Sequence, residues 1–151
     1  SAWETLELLA VYHQAESGTD TFTLWAPKEI MASARAFSAQ IRPVYGRSIW
    51  DAALGSYSYD TYEPWQENLY LWMSHLESTG ETQYKRTDGP AGEAREQILD
   101  FTACLDSARS AGVDYILLPG NLSEDALTEL QQSPGTEWVP FEGEYYLVVL
   151  K

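Results

Sequence analysis

The residues best suited to chemistry lie in one run, YGRSIWDAALGSYSYDTYEPW, from Tyr45 to Trp65. Tyr62 and Trp65 fall at helical spacing with Leu69, Trp72 and Leu76 and read as core. Tyr45, Trp50, Tyr57 and Tyr59 fall in irregular chain, with Asp51 and Asp60 beside them. Aromatic rings cover the apolar faces of sugars and carboxylates accept from hydroxyls, so this combination suits a carbohydrate platform. The same rings suit a protein interface, or a long connection that lays them over a sheet face. The loops that follow strands offer a second chemistry. Lys28, Arg47, Ser48 and Asn121 stand near helix starts, where a carboxylate or phosphate can be held. The structural account of the same residues is that Gly46 and Gly120 permit turns, Arg47 pairs with an acid, and Ser123 caps its helix. Asn121-Leu122-Ser123 fits both a glycosylation sequon and a turn followed by a cap.

Catalytic and metal chemistry find less support. His13 and His75 have no neighbour at metal-ligand spacing. Ser48 or Cys104 would act as a nucleophile only with a histidine brought close by the fold. Asp51 and Asp60 have the residue types of a glycosidase pair, but 23 acidic residues make some pairing inevitable. No dinucleotide fingerprint or phosphate-binding lysine loop is present. The reading assigns no catalytic residue, no metal and no cofactor.

The elements that must position these residues follow from pattern. Ser1 and Glu4 have capping-box spacing, and Trp3, Leu6, Leu9 and Tyr12 or His13 share a stripe, which predicts a helix over 1–16. TFTLWA (Thr21–Ala26) reads as a strand, followed by a helix with Pro27 as its first residue and Ile30, Ala34 and Phe37 inward. Ile41–Tyr45 reads as a strand placed at an edge by Pro43. A helix is expected from Thr61, a polar loop over Gly80–Gly92, and then a long helix carrying Ala94, Ile98, Phe101, Leu105 and Ala108 up to Gly112. Val113–Leu118 is the clearest strand, Ser123 caps a short helix with Leu122 and Leu127 as a staple, and Trp138–Phe141 with Tyr145–Leu150 form a hairpin. The sum is an α/β domain over 1–151: a small, mixed, mostly parallel sheet of about five strands, with helices on both faces. The layering is Rossmann-like, without a dinucleotide motif. Right-handed crossovers place the Thr21 strand between those from Ile41 and Val113, and the closing hairpin extends the far edge.

Composition narrows the partners. A net charge of −14 argues against nucleic acid and against an anionic membrane surface. With one cysteine no intrachain disulfide forms. The longest apolar run is strand-sized, too short to span a membrane.

Three segments carry a resemblance: LWAPKEIMASARAFSAQIRPVYGRSIWD (Leu24–Asp51), AGVDYILLPGNL (Ala111–Leu122) and GEYYLVVLK (Gly143–Lys151). They resemble soluble C-terminal domains of bacterial multi-spanning membrane proteins that look like polyprenyl-phosphate-sugar glycosyltransferases. The resemblance implies an extracytoplasmic accessory domain whose N-terminal helix, 1–17, continues from a membrane span. The parent's catalytic residues would lie elsewhere. Its expected partners are a glycan, a lipid-linked sugar or another protein. The alternative is a soluble carbohydrate-binding or glycan-processing module acting through residues 45–65.

Overall fold

The computed structural model describes residues 1–45, 63–86 and 96–151. Helix α1 (Ala2–Glu16) starts where the sequence indicates, the Ser1 hydroxyl accepting from the Glu4 amide at 3.3 Å. Its buried side chains are Thr5, Leu6, Leu9 and His13. Trp3 departs from the expected stripe: it is 46% exposed and meets Phe37 edge-on at 4.8 Å. Strand β1 (Phe22–Trp25) leads into α2 (Lys28–Phe37), with Pro27 as the residue before the helix rather than its first turn. Strand β2 (Ile41–Pro43) follows.

Helix α3 (Pro64–Thr79) buries Leu69, Trp72, Met73 and Leu76 and ends at Gly80, whose φ of 75° suits a residue without Cβ. Two corrections follow it. The expected polar loop contains strand β3 (Tyr84–Arg86), and the start of the expected long helix is strand β4 (Gln97–Leu99), antiparallel to β3. Helix α4 (Phe101–Ser110) begins only after Asp100, whose carboxylate accepts from the Ala103 amide at 2.8 Å. Ile98, expected on the inner stripe, is 60% exposed, whereas Leu99 beside it is buried, as strand alternation requires.

Strand β5 (Tyr115–Pro119) is buried at every position and lies inside the sheet. Helix α5 (Glu124–Gln131) is capped by Ser123, and β6 (Thr136–Val139) pairs with β7 (Tyr145–Leu150). The main sheet runs β2-β1-β5-β7-β6: β2, β1 and β5 are parallel, and the β6–β7 hairpin extends antiparallel beyond β5. This is the expected order, and Pro43 does sit on an edge strand.

Strand alternation assigns the faces. Phe22 and Tyr115 meet at 5.2 Å on one face, under His13 of α1. Trp25 points the other way, its ring 5.5 Å from Trp72 of α3 and 6.2 Å from Phe101 of α4. Helix α2 packs against α1, and α3 against α4, so helices cover both faces.

Candidate functional site

In open α/β sheets the carboxyl ends of parallel strands are the usual place for a ligand. Here the ends of β1 and β2 are filled by packing. Tyr45 is buried, its hydroxyl donates to the Ala26 carbonyl, and Tyr70 meets its ring edge-on at 5.5 Å. Gln66 reaches back to the same edge, its amide group donating to the Val44 carbonyl at 3.0 Å. Gln66 and Glu63 form a capping box that fixes the start of α3, and the Trp25 indole donates to the Leu69 carbonyl at 3.3 Å. Helix α3, which covers one face of the sheet, thus reaches the chain that follows β1 and β2 through Tyr70 and Gln66.

The end of β5 is shaped differently. The Gly120 amide donates to the Glu144 carbonyl at 2.9 Å, and a Cβ at Gly120 would collide with that oxygen. Asn121 is exposed in the turn that follows, and the Ser123 hydroxyl accepts from the Ala126 amide at 3.2 Å. The potential here is negative. Burial raises the Tyr145 phenol above its ordinary pKa, and Glu29, Glu77 and Glu144 raise it further. Burial likewise raises the Glu77 carboxyl, with Glu29 adding to the effect.

Of the residues singled out from the sequence, the structure places Tyr45 in the core and Asn121 at the surface, while Lys28 is exposed at the start of α2. Arg47, Trp50, Asp51, Tyr57, Tyr59 and Asp60 lie outside the described residues, as does Ser48. Among the described residues, no group of three His, Cys, Asp or Glu side chains could hold a metal ion. His13 is buried, with Nδ1 2.7 Å from the Tyr115 hydroxyl and Nε2 2.8 Å from that of Thr19. His75 lies 3.1 Å from a Glu81 carboxylate oxygen, its ring beside Tyr84. Burial pushes the Cys104 thiol up to about 12, so no thiolate is populated near neutrality.

Two surface grooves stand out. One, of about 610 Å³, runs between the β3–β4 pair and α5. Three of its four charged side chains are already engaged: Glu129 accepts from the Thr82 hydroxyl at 2.7 Å, Glu81 meets His75, and Lys85 pairs with Glu96 at 2.9 Å, while Asp125 lies in the first turn of α5. The other, of about 530 Å³, is lined by Val139, Pro140, Phe141, Glu142, Tyr145 and Tyr146 at the turn end of the β6–β7 hairpin. Tyr145 pairs with Pro119, so this groove opens at the carboxyl end of β5. The sequence read this hairpin only as strands. The signal was nonetheless present, because FEGEYY carries the same mixture of rings and carboxylates as residues 45–65.

Searches against protein-family models, curated proteins and solved structures give no match to this chain.

Proposed function

We propose that the chain is a non-catalytic, ligand- or partner-binding accessory domain, carried outside the cytoplasm by a bacterial membrane protein. The observation that carries this reading is the use made of the sheet's carboxyl edge. Where an enzyme of this layering sets reacting groups, Tyr45, Gln66 and α3 are committed to packing and capping. The three segments that resemble extracytoplasmic domains of membrane glycosyltransferases support the second half of the reading. They coincide with β1–α2–β2, β5 and β7, which are neighbours in the sheet. None of the described helices is long and apolar enough to cross a membrane, so the reading assigns the attachment to the parent chain.

Two assays test the halves separately. Fused after Lys151 in the natural full-length protein, alkaline phosphatase is expected to be active and a fluorescent protein dark. The reverse pattern would place the domain in the cytoplasm and remove the reading. Incubated with aryl glycosides and oligosaccharides, the isolated chain is expected to give no turnover. Turnover abolished by Asp51→Asn or Asp60→Asn would establish the glycan-processing module instead.

A further inference from the structure

We propose that the groove at the tip of the β6–β7 hairpin binds a neutral or amino-sugar ring against a wall to which Phe141, Tyr145 and Tyr146 contribute, with Glu142 accepting from its hydroxyls. The inference rests on the binding-domain reading above and gives it a ligand class and a place.

Shape and lining argue for a small ligand. The volume, about 530 Å³, is that of a small-molecule site, and the wall is mostly apolar and aromatic with few polar groups. A protein partner of ordinary affinity needs roughly 1,200 Å² or more of buried surface, which a concavity lined by six residues does not supply. The position is the one expected in α/β folds, at the carboxyl end of β5 where Gly120 lets the Glu144 carbonyl approach. Phe141, Tyr145 and Tyr146 are half-buried, so each is held by packing and still presents ring surface. Neither tyrosine hydroxyl makes a hydrogen bond among the described residues, which leaves both for a ligand.

Charge selects within the saccharides. Glu142 lines the groove, Glu144 neighbours it, and Glu29 and Glu77 act on Tyr145 from α2 and α3. The charges that act on Tyr145 are all carboxylates, and Lys151 is paired with Glu137 at 2.7 Å. A uronic acid or a sugar phosphate would meet net repulsion. A neutral ring would not, and a protonated amino sugar would be attracted.

The test is titration of the whole chain, followed by amide and indole NMR, with glucose, galactose, mannose, glucosamine, glucuronate and inorganic phosphate as separate probes. The Trp138 indole N–H is a built-in reporter: it is buried without a hydrogen-bond partner among the described residues, and its ring lies 5.7 Å from Tyr146. Saturable shifts of that signal and of the 141–146 amides by a neutral or amino sugar are expected. Tyr146→Ala should weaken binding about tenfold, the loss of one ring contact. Glu142→Gln, an exposed change that leaves the fold alone, should weaken glucosamine more than glucose. Tyr57→Ala should change neither. No saturable shift with any probe overturns the inference, and so does equal binding of glucuronate. Sugar binding lost in Tyr57→Ala but kept in Glu142→Gln and Tyr146→Ala overturns the hairpin site while leaving a binding domain. Wild-type mapping answers the question even if Tyr146→Ala fails to fold.

Discussion

Gly120 sits where β5 and the start of β7 come closest, and its lack of a side chain is a packing requirement. A Cβ there would collide with the Glu144 carbonyl, a backbone atom tied to the Gly120 amide and unable to turn aside. Gly120→Ala is therefore expected to cost about 1–3 kcal/mol, the scale of forced overpacking, and to show as a lower urea midpoint with an unchanged slope. Gly112 offers the contrast. Its φ of +77° strains any side chain, but nothing lies within 4 Å of its Cβ position. From the sequence both glycines read as turn or stop signals. The reason Gly120 must be glycine depends on a residue twenty-four positions away and is invisible to local pattern. The single thiol gives a second prediction at this scale. With Cys104 buried and its pKa raised to about 12, Ellman's reagent at pH 8 should react only as fast as the chain opens, and at once in denaturant.

At the scale of elements, the informative stretch is 94–112, where one helix was expected and a strand followed by a helix is found. Ile98, Phe101, Leu105 and Ala108 do step at helical intervals, and periodicity alone extends the helix backward through Ile98. What ends it is a capping bond: Asp100 in extended conformation accepts from the Ala103 amide, and Leu99 turns inward opposite Tyr84. Asp favours N-caps over helix interiors because its short side chain competes for nearby backbone amides, so the boundary was readable from that residue. Three substitutions separate the two descriptions. Asp100→Ala should lose about 0.5–2 kcal/mol as a removed cap. Leu99→Ala should lose about 2–5 kcal/mol as a core truncation. Ile98→Thr should change stability by less than about 0.5 kcal/mol, as at a surface position. A continuous helix would invert the last two, and chemical denaturation of the three variants decides it.

Over the whole molecule, the order of the sheet followed from pattern because strand–helix–strand units have few allowed connections, and β2-β1-β5 with a hairpin beyond it satisfies them. The proposed ligand surface was less legible. A mixture of rings and acids marks both 45–65 and 138–146, and only the fold shows that the second forms a concavity at the carboxyl end of β5. Tyr45, chemically suited to a platform, is drawn inward by the Ala26 carbonyl and Tyr70, which no sequence window contains. The charge of the chain makes the last prediction. Burial, reinforced by Glu29, raises the Glu77 carboxyl above its ordinary 4.5, so the folded state keeps that proton to higher pH than the unfolded chain does. Its contribution to stability is therefore full below 4.5 and is lost as pH rises through the raised value. The repulsion within a net charge of −14 acts with the same sign, since it weakens as carboxylates take up protons. A second loss begins above pH 10, because Tyr12, Tyr115 and Tyr145 all hold their protons beyond the ordinary 10.0, Tyr115 to about 12 and chiefly by burial. Calorimetry should then find Tm falling as pH rises from 4.5 to 8, with a further fall above pH 10. Added salt should raise Tm more at pH 8 than at pH 5.5, because screening relieves the same repulsion. A Tm that climbs steadily from pH 5.5 to 8 would mean that paired carboxylates, rather than Glu77 and the acidic surface, govern the stability of this fold.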